Sequence, residues 1–138
     1  MDDIRLEMET HYFGTLQVTR AFVPVIERNG GGSVLNVLSV LSWVHAAKFG
    51  AYAAAKAAGW AMTDALREEL APRGIHVAAL HVGFMDTDMA EFVPDDQKTD
   101  PAVVARQALD GLFAGDAEIL ADELTRTVRA QLSQPAGS

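Results

Sequence analysis

SVLNVLS, residues Ser33 to Ser39, is short and apolar, with β-branched valines at 34 and 37. Such side chains pack well on a pleated surface, and a bounded apolar run of this length reads as a strand buried on both faces. The turn NGGGS, Asn29 to Ser33, leads into it. Further on, IHVAALHV, Ile75 to Val82, reads as a second buried strand. The loop VLSWVHAAKFG and a helix from about Ala51 to Leu70 separate the two strands, and APRG at Ala71 to Gly74 closes the helix. Buried strands alternating with helices imply a parallel sheet with right-handed crossovers and helices on both faces.

The rest of the chain extends the pattern. Ile4, Met8, Phe13, Leu16, Val18, Phe22 and Val25 recur at helical spacings across Asp3 to Glu27, where Pro24 should end the helix or kink its last turn. Gly83 to Asp100 is a long polar loop, of a kind that is more often functional than connecting. Asp100-Pro101 is a helix start, and that helix runs to about Phe113 and stops at Gly115. Ala117 to Asp122 is a third strand, Glu123 to Leu132 a last helix, and Ser133 to Ser138 a frayed tail. The class is α/β, with about three parallel strands. No strand precedes the first helix, so the expectation is a single incomplete domain, residues 1–138, with a part missing upstream.

Length and composition narrow the function class. A chain of 138 residues suits one domain with a modest core, and 49% hydrophobic residues argue against a disordered chain. The absence of cysteine excludes disulfides and thiolate metal sites and fits a reducing cytoplasm. A net charge of −8 argues against nucleic acid as the main partner. MDDIRLEMETHYFG places acids where a secretory signal needs a basic region followed by an apolar one. No apolar run reaches membrane-spanning length. The expectation is a soluble, cytoplasmic protein without membrane contact.

Tyr52 and Lys56 lie four residues apart in the central helix and so share a face. A free tyrosine titrates near ~10, too high for useful proton transfer at neutral pH, and a nearby ammonium lowers that value. A phenol tuned in this way can do general acid–base work. Taken alone, the pair is more often a half-buried tyrosine beside a solvated lysine. Ser39 changes the balance. It ends the first strand thirteen residues before Tyr52, and strand ends in parallel sheets are where ligand sites form. A strand-end serine by itself usually serves its own loop, and Ser42 is a rival at another spacing. After the second strand comes VGFMDTDM, Val82 to Met89. There Gly83 lets backbone approach a ligand, and Thr87 offers a hydroxyl. The plain alternative is a turn with local Asp and Thr hydrogen bonds.

Other residues carry less. His76 and His81 are five apart in a strand and face opposite sides, so they form no metal pair, and no metal is expected. His45 reads as a solvated loop residue, and Asp86 and Asp88 as turn formers. No G-x-S-x-G elbow supports a serine hydrolase.

Ser39, then Tyr52 and Lys56 in YAAAK, then Gly83 and Thr87 in VGFMDT together resemble the short-chain dehydrogenase/reductase family. HYFGTLQVTRAFVPVIERNGGGSVLNVLS looks like the family's segment from fourth helix to fifth strand, and EILADELTRTVRAQL like its last strand and closing helix. The resemblance covers nearly the whole chain and implies a partial Rossmann-like, doubly wound sheet. It also implies an NAD- or NADP-dependent oxidoreductase that interconverts a small-molecule carbonyl and its alcohol by hydride transfer. Tyr52 would exchange the proton with the substrate oxygen, and Ser39 would hydrogen-bond that oxygen. Lys56 would lower the pKa of Tyr52 and hold the cofactor ribose. Val82 through Thr87, Gly83 included, would contact the nicotinamide, with Thr87 near its carboxamide. The cofactor supplies the redox chemistry and the protein the orientation.

Three departures from the family pattern stand out. His11 occupies the position of a family asparagine that organises a water path to the lysine, so it is a doubtful catalytic candidate against a packed helix histidine. Val82 replaces the usual proline before Gly83. The Gly-rich T-G-x-x-x-G-x-G phosphate loop does not occur in the sequence. One edge of SVLNVLS is therefore expected to be unpaired and apolar, leaving the chain marginally stable or self-associating. The family commonly dimerises through two long helices, here Asp3–Glu27 and Ala51–Leu70, and Ala54, Ala57, Ala58 and Ala61 would admit a partner helix. The alternative function is a catalytically silent remnant that acts as a dimerisation module.

Overall fold

A computed structural model describes residues 1–44, 47–85 and 98–135. It has the α/β class expected. Asp2–Met8 (α1), a π-helical turn at Glu9–Phe13 and Gly14–Arg28 (α2) follow one another without a break. Gly32–Ser39 is β1, Gly50–Leu70 is α3 and Ile75–Val82 is β2. Two-residue strands Phe84–Met85 (β3) and Lys98–Thr99 (β4) pair with each other. Pro101–Phe113 (α4), Glu118–Leu120 (β5) and Glu123–Ala130 (α5) complete the chain. His45, Asp86, Thr87 and Asp88 lie outside the described residues.

The main sheet is parallel, in the order β1-β2-β5, with β1 and β2 in register from Gly32↔Ile75 to Ser39↔Val82. Helices cover both faces. On one, Ile75 and Val77 of β2 pack with Val23 of α2 and Met62, Leu66 and Leu70 of α3. On the other, Ala78, Leu80 and Val82 meet Val104 and Ala108 of α4 and Ile119. Each fully buried Val, Leu or Ile side chain stabilises by about 1.5–3 kcal/mol. The central strand β2 is buried along nearly its whole length.

Two local expectations need correction. β1 is the outer strand among the described residues, as the expected unpaired edge implies, but it is not buried on both faces: its Val37 is 50% exposed, because α4 packs over β2 and β5 and leaves it uncovered. Of the two outcomes open for Pro24, the ended helix is not found: α2 continues to Arg28. The missing proline N–H removes one hydrogen bond, while Val23 and Ile26 on either side are held in the core against α3 and β2.

Polar caps position the remaining helices. Asp100 caps α4 by accepting from Ala102 N at 3.0 Å, and Asp122 and Thr125 form a reciprocal capping box on α5. At the opposite end of the sheet from these caps, the Asn29–Ser33 turn abuts the turn after α3. Gly31 has φ +103°, and a Cβ there would lie 2.6 Å from the Gly74 carbonyl oxygen. Gly31→Ala should therefore cost about 1–3 kcal/mol through strain and overlap, read as a lower urea midpoint at unchanged m-value.

Candidate active site

Parallel pairing sets Ser39 opposite Val82, so the two strand ends lie side by side. α3 begins at Gly50, which puts Tyr52 in its first turn and Lys56 one turn later on the same face. The Ser39 hydroxyl faces the Tyr52 phenol closely enough to favour its ionised form, and Ser39 Oγ accepts from Leu41 N at 3.1 Å. Lys56 Nζ stands 5.5 Å from the Tyr52 ring centroid and donates to Val37 O at 3.3 Å. The rival serine, Ser42, is used differently. Its hydroxyl donates to Lys56 O at 3.2 Å and ties the helix to the loop.

His11 joins this group. Its ring meets Tyr52 edge-on, with centroids 5.1 Å apart and planes at 80°. It rides on the π-helical turn, a local widening that is often found at functional sites. Gly59 of α3 sits beneath this crossing, where a Cβ would lie 3.7 Å from His11 O and 3.3 Å from Leu38 Cδ2. Glu7, which no sequence motif singles out, places Oε2 3.1 Å from His11 Nε2. Its signal is the spacing of four residues on one helix.

Burial raises the Tyr52 pKa above its ordinary value; the Ser39 hydrogen bond opposes this, and the Glu7 charge adds to it. Burial lowers Lys56, and Glu7 partly restores it. Burial and then the Lys56 charge lower His11, against the pull of Glu7. The expectation that Lys56 sets the tyrosine's pKa therefore differs from what is found here. The ammonium hangs over the ring toward Val37 O, and Ser39 is the group that favours phenolate. Resting Tyr52 is a neutral phenol.

Val82 is buried beside this group, and Gly83 follows it. Gly83 N donates to Asp122 Oδ2 at 2.7 Å, and a Cβ at Gly83 would lie 3.0 Å from that oxygen and 3.2 Å from Leu124 Cδ2. Here the glycine makes room for the cap of α5. Cavities of about 340 Å³ between α2 and α3 and about 610 Å³ between α2 and β1 are not lined by Ser39, Tyr52 or Lys56.

A second cluster, formed only by tertiary packing, lies next to the site. The fully buried His81 stacks on Trp43 with ring centroids 4.2 Å apart, and Trp60 meets Trp43 edge-on at 5.6 Å. Arg129 lies 5.8 and 5.6 Å from the two indole rings and donates to Glu118 Oε1 at 2.9 Å. His81 Nε2 is 2.9 Å from Glu118 Oε2, an electrostatic contact that lacks hydrogen-bond alignment. His76, on the other side of the strand, contacts Asp116 O at 2.8 Å. Among the described residues no group of three or more His, Asp or Glu could hold a metal.

Burial lowers the His81 pKa from 6.5 to about 4. The unfolded chain then binds the extra proton first, so this contribution is whole above about pH 6.5 and is lost as pH falls toward about 4. The full loss is about 3 kcal/mol. Urea unfolding across that window should show wild-type stability falling with pH and a flatter profile for His81→Phe. Equal slopes would remove His81 as the cause.

A strand-end serine, a helical tyrosine and a lysine one turn on thus come together at one end of the sheet. The family described as short chain dehydrogenase matches residues 1–98, and the chain belongs to it. A solved short chain dehydrogenase from Burkholderia cenocepacia in complex with NADP superposes with a TM-score of 0.89 at 35% identity, covering 95% of this chain and 56% of that one. Dehydrogenase/reductase SDR family member 7B of Danio rerio is 37% identical over 83 residues, 60% of this chain and 27% of the relative. The NADPH-dependent 1-acyldihydroxyacetone phosphate reductase of Schizosaccharomyces pombe is 34% identical over 87 residues, 63% and 29% of the two chains. The chain thus spans about half of that structural relative, and its matches span under a third of those two sequence relatives. Among the described residues, no helix is long and apolar enough to cross a membrane.

Proposed function

We propose that this chain carries the proton-transfer side of an NAD- or NADP-dependent oxidoreductase that interconverts a small-molecule carbonyl and its alcohol. The observation that carries the reading is the convergence of Ser39, at the end of β1, with Tyr52 and Lys56 on one face of α3. A neutral phenol is the form that can donate a proton, so at neutral pH the site is set for carbonyl reduction. Tyr52 gives its hydroxyl proton to the substrate oxygen, and Ser39 donates to the same oxygen and stabilises its growing charge. An ammonium has three N–H donors, of which Val37 O takes one among the described residues, so Lys56 can offer others to the hydroxyls of a nicotinamide ribose. When bound, the nicotinamide supplies the hydride. Val82 and Gly83 are proposed for the nicotinamide face, and Thr87 for its carboxamide. The NADP complex of the Burkholderia cenocepacia relative supports the cofactor class. The test is a fluorescence titration with NADH and NADPH. Saturable micromolar binding that is lost in Lys56→Ala is expected, and its absence would leave the oxidoreductase reading without support.

A second reading rests on exposed apolar surface. Val18 and Phe22 of α2 are 60% and 59% exposed, near the free edge of β1, and Ala54 and Ala61 face outward on α3. This surface suits self-association through residues 3–27 and 51–70, with or without catalysis. Light scattering over a concentration series should show a dimer or larger species; a cooperatively melting monomer would count against it.

A further inference from the structure

We infer that Glu7 is a positioning residue of the Tyr52–Lys56 site: its carboxylate fixes the His11 imidazole edge-on against the Tyr52 ring. The inference rests on the oxidoreductase reading for its meaning and on geometry for its content. Glu7 Oε2 lies 3.1 Å from His11 Nε2, and the imidazole in turn lies against Tyr52 at 5.1 Å. The groups that face this pair from α3 are Tyr52 and Lys56, with Ser39 behind them at the end of β1.

The consequence for the proton is specific. A carboxylate offers only lone pairs and negative charge, so its charge favours the hydrogen on the nitrogen 3.1 Å away. Neutral His11 therefore holds its one N–H on Nε2, and Nδ1 is the nitrogen that takes up or releases a proton. The two atoms do not compete, so His11 can change charge without losing its anchor. Protonation gives an imidazolium whose Nε2–H still faces the Glu7 carboxylate. The carboxylate also bears on all three partners: its charge raises His11, Lys56 and Tyr52, each against or along with the effect of burial. A glutamate whose carboxylate pointed away from the site would leave these titrations alone.

The experiment is a pH titration by side-chain nitrogen NMR of the full chain labelled at its four histidines, without cofactor. His11 is identified by the signal absent from His11→Asn. The wild type should show the Nε2–H tautomer above the midpoint. Glu7→Gln, which keeps shape and removes charge, should lower the His11 midpoint by about half a pH unit. It should also lower the Tyr52 phenol midpoint read by ultraviolet absorbance. A Nδ1–H tautomer in the wild type would overturn the inference, and that result needs no variant to fold. Unchanged midpoints in a Glu7→Gln chain with native circular dichroism would overturn it too. Neither readout uses turnover or cofactor, so failure here is distinct from failure of the oxidoreductase reading.

Discussion

Tyr52→Phe is expected to lower carbonyl reduction by about 10²- to 10⁴-fold while leaving cofactor affinity nearly unchanged. Phenylalanine keeps the ring that packs against His11 and lies beneath Lys56, and removes only the oxygen that faces Ser39. The loss therefore falls on kcat, because the deleted group acts where the proton moves. Ser39 becomes a buried hydroxyl that still accepts from Leu41 N, so folding should be little disturbed. Its donor proton remains available to the substrate oxygen and accounts for residual activity. A large rise in KM with kcat intact would assign Tyr52 to binding instead.

Lys56→Ala should weaken nicotinamide cofactor binding by about 10- to 100-fold, the worth of one or two hydrogen bonds from a charged donor. Lys56 is half-buried, and the only hydrogen bond its ammonium makes among the described residues is to Val37 O. Removing it frees that carbonyl at the sheet edge, where water can reach it, so stability should change little. The midpoint of Tyr52 should also move little, because burial and Ser39 dominate it in the absence of cofactor. Equilibrium titration of both proteins with NADPH and NADH checks the first effect, and ultraviolet titration of the phenol the second. Equal affinities would place the cofactor away from α3.

Much of this site is legible in the residues because it rests on local signals. β2 falls at Ile75–Val82 as its apolar pattern implies, since Gly74 and the post-strand Gly83 punctuate an unbroken apolar run. The Asp100-Pro101 start of α4 follows from capping chemistry alone. Tyr52 and Lys56 share a face because four residues make one turn. What escapes depends on contacts between distant segments. The burial of β1 requires knowing how far α4 reaches. The π-helical turn hardly disturbs the apolar pattern of residues 2–28, so nothing in that pattern marks His11 as turned toward α3. The stack of Trp43, His81, Trp60 and Arg129 draws on five separate parts of the chain once Glu118 is counted. Its residues show no common spacing. Glu7 is legible as a partner of His11 at four residues, and only the ring contact with Tyr52 shows why that pair matters.

The decisive measurement for proton transfer by Tyr52 is nicotinamide absorbance at ~340 nm. The full chain is mixed with NADPH or NADH and a panel of ketones and aldehydes, wild type beside Tyr52→Phe. The wild type should consume cofactor with at least one carbonyl, and the variant should be slower by about 100-fold or more. Consumption at equal rates by both proteins, or by neither with any carbonyl, would contradict the role given to Tyr52.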